Sequence, residues 1–542
     1  MAGNPRWCVA VLLLFAVGRV PDPARADAAA DDRPNILLII ADDLGYADLG
    51  VHGSDIRTPN IDTLAGEGML CTQFHTAPMC APTRAMMLSG NNNHVAGMGR
   101  QGPKRILREN LPGYEGHLSD RIAPLPRLLA AAGYHTYSVG KWHLGMALEH
   151  GPKAVGFERS FNLIDGAANH FDSVGFFAGG STFRADGKDI DFPAGGYSTE
   201  VYTDQLIGFI GAGAGDGRPF FAYASYTSPH WPLQVPDEYL DLYRGRYDAG
   251  YDALREDRFA SLKKAGIIPA SSSLPPRNEA ITPWDELDLE QKRREARKME
   301  LYAAMVENLD HHVGRLIGYL KENGLYDNTL IVFMSDNGPA GEDFYNRSSY
   351  REYIRAHYDN AYENMGRATS WVSYGEPWAE AGSPAFSRFK RYTREGGIRA
   401  PFIVAGPRVS AHGVIDDTYF TVMDLAPTFL ELAEARYPDD GSVRPMLGES
   451  LLPLLADGAP VHDEDYVTVL YHGGRALVRQ GRWKLVNLDP PFDESAFELF
   501  DLETDPGETV NLAEAEPEKR AELLALWRAE RKRLGIVLPG DL

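Results

Sequence analysis

Four apolar segments of this chain each lead directly into charged or imidazole residues, and this repeated pattern constrains the fold more than any other feature. Continuous apolar runs bounded by polar residues are typical of strands buried on both faces of a parallel sheet. Helical stretches lie between them, notably 125–133 and the long amphipathic segment 289–324. The alternation predicts an α/β fold with a large, mostly parallel sheet flanked by helices. The four segments are 34–40, 135–139, 219–227 and 329–334.

The polar residues that follow these segments are expected to form one site. Ligands of open α/β sheets bind beyond the carboxyl ends of the strands, where the residues after each strand come together. A fifth predicted strand, 400–406, is preceded by Lys390 and the turn 395–397. The residues that follow the four segments, in chain order, are Asp42 and Asp43, Lys141 and His143, His230, and Asp336 and Asn337.

Two of these groups offer oxygen ligands for a metal ion. A single Asp-Asp or Asp-Asn pair is typical of a turn or a helix cap. Two such pairs, Asp42-Asp43 and Asp336-Asn337, each directly after a predicted buried strand, favour a metal site instead. With no thiolate or imidazole among them, the four residues suit Ca²⁺ or Mg²⁺ better than Zn²⁺. The lysines and histidines of the site could hold a tetrahedral anion and move protons.

The stretch CAPTRAMMLSG, residues 80–90, places a cysteine at the start of a predicted helix. Pro82 suits the first turn, where a missing N–H costs nothing. The backbone N–H groups at a helix N-terminus attract negative charge, and Arg84 adds a permanent cation. The position of Cys80 is therefore suited to an anion.

The composition restricts the partners. The chain has 542 residues, 44% of them hydrophobic, and a formal net charge of −22, as expected of a large globular protein. An acidic chain without a long basic run is not expected to bind nucleic acid. Attraction for an anionic substrate must therefore be local.

The sequence pattern of residues 1–26 predicts a signal peptide. One basic residue precedes the apolar stretch 7–17, and Ala24-Arg25-Ala26 matches a small-x-small cleavage site. A membrane anchor is the competing interpretation, but the apolar run is shorter than the roughly 20 residues that a bilayer span needs. We therefore expect export to the periplasm or the medium without stable membrane insertion. Cys8 would leave with the signal peptide, so the mature chain would retain only Cys71 and Cys80.

The remainder divides into a main domain, 27–456, and a smaller C-terminal α+β subdomain, 457–542. A polar linker begins at 457, and strands are expected around 468–472, 476–488 and 496–502, followed by a helix over 517–534. Two long segments of the main domain, about 240–290 and 340–390, are expected to be lid-like. Four aromatic residues could line an aryl- or sugar-binding mouth or serve as packing residues: Trp231, Trp371, Tyr374 and Trp378.

Cys80-Ala81-Pro82-Thr83-Arg84 followed by Leu88-Ser89-Gly90 resembles the signature of type I sulfatases, whose cysteine a maturation enzyme oxidises to formylglycine. Further stretches resemble the family in the same order, closest to bacterial arylsulfatases, and cover nearly the whole mature chain. Thr83 departs from the serine usual in the family, but it keeps the hydroxyl, so conversion of Cys80 is expected. These stretches are NILLIIADDLG, TPNIDTLAGEG, VGKWHLG, SPHWPL, ENMGRATSWVSYGEPWA, FMSDNG, EGGIRAPF, VMDLAPTFLELA and LFDLETDPGETVNLA.

The resemblance implies an alkaline-phosphatase-like fold, a catalytic domain over 27–456, and hydrolysis of sulfate monoesters, aryl sulfates foremost. It implies one Ca²⁺ held by Asp42, Asp43, Asp336, Asn337 and the residue-80 oxygen. It implies that Arg84 and Lys141 hold the formylglycine hydrate and the sulfate. Asp336 would assist deprotonation of the attacking hydroxyl of the hydrate, and His143 would take the proton from its second hydroxyl. His230 and Lys390 would bind the sulfate and assist the departing oxygen.

Two other functions remain open. A phosphonate monoester or phosphodiester hydrolase of the same superfamily can share the Cys-x-Pro-x-Arg motif and the metal site. An inactive protein that binds sulfated glycans would result if Cys80 stayed a thiol. A two-zinc phosphatase is disfavoured because the further Asp and His residues that it needs do not follow these strands.

Overall fold

The structure, a computed structural model, describes residues 31–101 and 111–542, together with residues 1 and 3. Apart from residues 1 and 3, the predicted signal peptide, with Cys8, lies outside the described residues. Within the described part of the chain, no helix is both long and apolar enough to cross a bilayer.

The strands of the main sheet confirm the predicted buried segments. Each of the four apolar segments forms a strand within two residues of its expected bounds. The strands of the described residues are β1 Asn35–Ala41, β2 Met69–Cys71, β3 Phe74–His75, β4 His135–Lys141, β5 Arg159–Leu163, β6 Phe183–Ala185, β7 Lys188–Ile190, β8 Phe220–Ser225, β9 Thr329–Ser335, β10 Phe402–Ala405, β11 Val414–Asp416, β12 Phe420–Thr421, β13 Val467–His472, β14 Arg475–Gln480, β15 Trp483–Asn487 and β16 Glu498–Asp501.

The helices pack on both faces of that sheet. The longest, α7, begins with a capping box in which the Asp288 side chain accepts from Gln291 N. The helices of the described residues are α1 Pro59–Glu67, α2 Cys80–Ser89, α3 Leu125–Ala131, α4 Pro152–Val155, α5 Ser198–Gly213, α6 Gly250–Lys264, α7 Leu289–Glu322, α8 Phe344–Arg347, α9 Arg351–His357, α10 Glu376–Gly382, α11 Glu395–Ile398, α12 Leu425–Leu432, α13 Leu452–Asp457 and α14 Pro517–Leu534.

The main sheet has ten strands in the order β11-β2-β10-β9-β1-β8-β4-β5-β6-β7. Its centre, β9-β1-β8-β4-β5, is parallel. Alternate residues of β1 pack into different cores, Leu37 and Ile39 on one face and Ile36 and Leu38 on the other. A strand covered on both faces needs apolar residues at every position, which is why its sequence runs without alternation.

The strand predicted over 400–406 runs against its neighbours. β10 pairs antiparallel with both β9 and β2. Its amino end therefore lies at the carboxyl end of β9, and the residues before it, including Lys390, reach the same edge as Asp336. The sheet is thus mostly but not wholly parallel.

The C-terminal subdomain is a four-stranded antiparallel sheet, β13-β14-β15-β16, covered by α14. The segment 476–488 contributes two strands, because the chain reverses at Gly481 and Arg482 between β14 and β15. The two lid-like segments contain helices, α6 in the first and α8 to α10 in the second. Many of their residues, such as Phe259 and Trp378, pack into the main core.

Candidate active site

Helix α2 positions Cys80 at its first residue and Arg84 one turn later. No side chain caps this helix; instead Thr83 Oγ1 accepts from Ala77 N at 3.0 Å and donates to Ala77 O at 3.1 Å. Gln101 Oε1 accepts from Ala81 N at 3.1 Å. The Thr83 hydroxyl therefore anchors the loop that precedes Cys80, a role that its methyl group does not obstruct.

The Cys80 side chain points into a group of carboxylates. Its Sγ lies 3.4 Å from Asp42 Oδ1 and 3.8 Å from Asp43 Oδ1, and the residue is 1% exposed. Burial, and next the Asp336 carboxylate, hold the pKa of the Cys80 thiol well above its ordinary value. The surroundings of residue 80 thus favour a neutral group over a thiolate.

Arg84 joins three of the sheet strands at this point. Its Nε and Nη2 donate to Asp336 Oδ2 at 3.1 and 2.8 Å. Its Nη1 donates to Lys141 O at 3.0 Å and to Ser225 Oγ. The guanidinium is fully buried, so these bonds hold it in one orientation beside Cys80.

Two lysines pair with the aspartates after β1. Lys141 Nζ donates to Asp42 Oδ2 at 2.6 Å, and Lys390 Nζ donates to Asp43 Oδ2 at 2.8 Å. Burial opposes the charged form of each lysine, but the facing aspartate and the other nearby acidic groups together outweigh it and raise both pKa values. Three cations, with Arg84, therefore balance the three carboxylates of Asp42, Asp43 and Asp336, although the whole chain is strongly acidic.

A hard metal ion fits between these oxygens. Asn337 Nδ2 donates to Asp43 Oδ1 at 2.6 Å, and the buried Asn337 Oδ1 has no hydrogen-bond partner among the described residues. A buried amide oxygen without a partner is costly, and a cation would satisfy it. The expected ligands Asp42, Asp43, Asp336 and Asn337 all meet here, although both Asp336 oxygens already accept hydrogen bonds.

The structure also places His230 beside these candidate metal ligands. One donor atom from each of Asp42, Asp43, Cys80 and His230 lies within 4.8 Å of the others. His230 Nδ1 donates to Trp231 O at 2.6 Å, so Nε2 faces Asp43 Oδ2, 3.4 Å away. Sequence reasoning assigned His230 to the leaving group and not to this group of donors.

His143 is buried near the cations of the site. Its backbone is left-handed, with φ of 58°, and a Cβ on Gly166 would come within 2.5 Å of its ring. Burial and the neighbouring cations, Lys141 first, lower its pKa well below the ordinary value. Its Nδ1 has no hydrogen-bond partner among the described residues. The ring is therefore a neutral imidazole that can accept a proton.

The four aromatic residues of the expected mouth have different positions. Trp371, Tyr374 and Trp378 are buried packing residues, at 0%, 4% and 0% exposure. Trp231 lies next to His230, with ring centroids 4.2 Å apart, and stacks on Phe344 at 4.0 Å. Sequence reasoning missed Phe344 and Ser225. Ser225 could have been found, since it lies near the end of the third apolar segment and is the last residue of β8.

Comparison with known proteins agrees with this geometry. The sulfatase family profile matches residues 34–435, and a profile described as the C-terminal part of N-sulphoglucosamine sulphohydrolase matches 386–529. An uncharacterized sulfatase of Schizosaccharomyces pombe is 40% identical over 95% of this chain and 96% of its own. The arylsulfatase of Klebsiella aerogenes is 38% identical over 79% of this chain and 93% of its own.

Solved structures show the same fold. The crystal structure of Ps i-CgsB is 25% identical, with a TM-score of 0.67, and the match covers 93% of each chain. The phosphonate monoester hydrolase of Silicibacter pomeroyi is 20% identical, with a TM-score of 0.56 over 92% of this chain and 96% of its own. The chain therefore belongs to the sulfatase family, sulfuric ester hydrolases with an alkaline-phosphatase-like fold.

Proposed function

We propose that this protein hydrolyses sulfate monoesters, aryl sulfates foremost, through a formylglycine made from Cys80 and one bound Ca²⁺. The observation that carries the proposal is the position of Cys80 Sγ among the oxygens of Asp42 and Asp43. A thiol is a poor ligand for the hard cation that these carboxylates and Asn337 suit, whereas an oxygen at residue 80 completes the set.

A hydrated formylglycine supplies one hydroxyl that attacks sulfur and a second whose deprotonation re-forms the aldehyde and releases sulfate. Asp42, Asp43, Asp336 and Asn337 would hold the Ca²⁺, which would supply positive charge for binding of the sulfate. Arg84 and Lys141 orient the residue-80 hydroxyls and the sulfate. Arg84 is suited to this because its bonds to Asp336 and Ser225 fix its plane.

Asp336 and His143 accept the protons of these two hydroxyls. Burial, and next the Asp42 carboxylate, raise the pKa of Asp336, so this carboxylate accepts a proton more readily than an ordinary one. It assists deprotonation of the attacking hydroxyl. His143 takes the proton of the second hydroxyl, because its lowered pKa keeps the ring neutral and its Nδ1 is free of other bonds among the described residues.

Lys390 and His230 assist the leaving group. Both contact Asp43, from which the Lys390 ammonium is 2.8 Å distant. His230 donates from Nδ1 to Trp231 O, which fixes the ring so that Nε2 faces the site. Together they bind the sulfate and stabilise or protonate the alcohol or phenol oxygen as the S–O bond breaks.

The proposal includes a maturation enzyme and export to the periplasm or medium. Because Cys80 is 1% exposed, a formylglycine-generating enzyme could reach it only before the chain has folded. After export, cleavage of the signal peptide and conversion of Cys80, Cys71 should be the one remaining thiol, with no disulfide.

The test begins with mass spectrometry of the peptide that contains residue 80, with thiol titration of the active protein. Converted protein is then assayed on aryl sulfates, alkyl sulfates, sulfated sugars and phosphodiesters. We expect the highest kcat/KM on a sulfate ester and one titratable thiol. A higher kcat/KM on phosphodiesters or phosphonate monoesters would favour the alternative hydrolase. An unconverted thiol and no hydrolysis would favour the sulfated-glycan-binding protein.

A further inference from the structure

A cleft of about 440 Å³ adjoins the active site and extends to the C-terminal subdomain. Phe389 and Arg391, which flank Lys390 in the chain, line it, as does Phe344, which stacks on Trp231 next to His230. The far end is formed by Arg475, the first residue of β14. Because Lys390 and His230 lie on the leaving-group side of the proposed reaction, the cleft is where the alcohol portion of a substrate would extend.

Three arginines line this cleft, Arg347, Arg391 and Arg475, and none of them forms an ion pair among the described residues. The neighbouring Arg394, in contrast, pairs with Glu498. The Arg475 guanidinium lies 4.5 Å above the Tyr392 ring, and its Nε is buried without a hydrogen-bond partner. Burial lowers the pKa of Arg475 from its ordinary value. A half-buried guanidinium with a free donor is costly unless an anion binds it.

The backbone of Arg391 is strained and connects to the active-site loop. Its φ of 81° is in the left-handed region, which non-glycine residues adopt at a cost. Its backbone N donates to Pro78 O at 2.8 Å, in the loop that leads to Cys80. Burial, Arg391 and Arg475 lower the pKa of His472 to about 4, so this neighbouring ring adds no further positive charge at neutral pH.

The cleft is also lined by acidic residues. They are Glu342, Asp343 and Glu376, and Glu342 Oε2 is buried without a hydrogen-bond partner among the described residues. These carboxylates would repel an anion and accept hydrogen bonds from hydroxyl groups. A ligand that satisfies both kinds of lining residue therefore carries an anionic group for the arginines and hydroxyl groups for the carboxylates.

We propose that Arg391 and Arg475 bind a second anionic group, a carboxylate or a sulfate, on the alcohol portion of the substrate. The inference rests on the proposed sulfate ester hydrolysis and specifies its substrate class: hydroxyl-bearing sulfate esters with an additional negative charge. The C-terminal subdomain contributes to specificity through Arg475, while sulfate chemistry stays within the main domain.

The test compares matched substrates on protein confirmed to be converted at residue 80. The pairs are 3-carboxyphenyl and 3-carbamoylphenyl sulfate, and the corresponding 4-substituted esters, which differ mainly in one charge. We expect kcat/KM to favour the carboxylate in at least one pair by roughly 10- to 100-fold, as for a hydrogen bond to a charged group. In Arg391→Gln and Arg475→Gln the ratio should fall towards one.

Arg408→Gln is the matched control, because Arg408 is exposed, left-handed at φ of 74° and outside the cleft. It should leave the ratio unchanged. If Arg475→Gln does not fold, Arg391→Gln carries the test, since its side chain is exposed. Equal kcat/KM within both pairs, or a wild-type ratio of carboxylate to carbamoyl kcat/KM in Arg391→Gln, would overturn the inference. In either case, hydrolysis of the esters would still support the proposed function. No hydrolysis of any pair would overturn both.

Discussion

Two of the clusters of buried charge among the described residues differ in the groups that their charges contact. The catalytic cluster comprises Asp42, Asp43, Arg84, Lys141, Asp336 and Lys390. The interface cluster joins the main domain to the C-terminal subdomain and comprises His75, Glu395, Lys484 and Glu508. All of these residues are 3% exposed or less.

In the interface cluster the protein supplies both partners of each contact. Glu395 Oε1 accepts from Lys484 Nζ at 2.6 Å, and its Oε2 lies 2.8 Å from His75 Nε2. Glu508 Oε1 lies 3.0 Å from Lys484 Nζ. Burial opposes ionisation of Glu395, but Lys484 and the other neighbouring basic groups together outweigh it and hold the pKa of Glu395 well below its ordinary value.

The catalytic cluster instead leaves a buried amide oxygen without a partner and gathers three carboxylates around a thiol. A cleft of about 440 Å³ adjoins it, whereas the cavity at the interface cluster is about 10 Å³, barely the size of one water. Buried charge alone therefore does not mark a functional site. Unsatisfied groups next to open space do.

Loss of the nucleophile should have the largest effect. We expect Cys80→Ala to fold normally and to lose at least about 10⁴-fold in kcat, as other enzymes do when a covalent nucleophile is removed. The measurement is turnover of an aryl sulfate, with circular dichroism as the control for folding. Activity within tenfold of wild type would contradict the assignment of residue 80.

Metal removal should also affect only the catalytic cluster. Exhaustive chelation should abolish activity, and Ca²⁺ should restore it better than Zn²⁺, because the site is dominated by hard oxygens. The measurement is activity after chelation and titration with each ion. Better restoration by Zn²⁺ would instead indicate binding through the donors that include His230.

Loss of His230 should discriminate between leaving groups. His230→Ala should lose roughly 10²- to 10⁴-fold on alkyl sulfates, whose leaving oxygens need a proton or a cation, and much less on nitrophenyl sulfate. Arg84→Ala is the control and should lose similar factors on both, since it contacts the nucleophile side. The measurement is kcat/KM on both substrates. Equal losses for His230→Ala would mean that His230 binds the sulfate and does not assist the leaving group.

In the interface cluster, a charge removal should lower stability and spare catalysis. Lys484→Met leaves Glu395 and Glu508 without their ammonium, so the free energy of unfolding should fall by about 3–5 kcal/mol. The exposed pair of Lys519 with Glu522 offers a control, and Lys519→Met should cost less than about 1 kcal/mol. Urea-induced unfolding measures the free energy of unfolding of both variants. A large loss of kcat/KM in folded Lys484→Met would break the distinction between the clusters.

The smallest expected effect is the pH dependence of the free energy of unfolding that His75 causes. Burial lowers its folded pKa to about 4, below the ordinary 6.5, so the unfolded chain binds the proton first. Its contribution to stability is complete above pH 6.5 and falls by about 1.4 kcal/mol per unit down to about pH 4. Unfolding of His75→Gln should show a shallower slope in that range. An unchanged slope would mean that His75 is already protonated in the fold.

The sequence by itself determined the strands and the chemistry of the site. Burial on both faces imposes apolar residues at every position, so β1, β4, β8 and β9 could be read from local composition. The rule that parallel strands present their carboxyl ends at one edge then brought Asp42, Lys141, His230 and Asp336 together. The motif that begins at Cys80 supplied the family, which the profile match over 34–435 shows.

Only the tertiary structure decided what depends on contacts between distant residues. Asp43 and Lys390 are separated by 347 positions, and no local pattern fixes that pair. The antiparallel direction of β10, the place of His230 among the metal donors and the approach of Arg475 to the cleft likewise depend on packing. Local sequence specifies the periodicity of the apolar residues and the burial of a strand. The direction of a strand such as β10 and the position that a side chain reaches follow from the packing of the assembled layers.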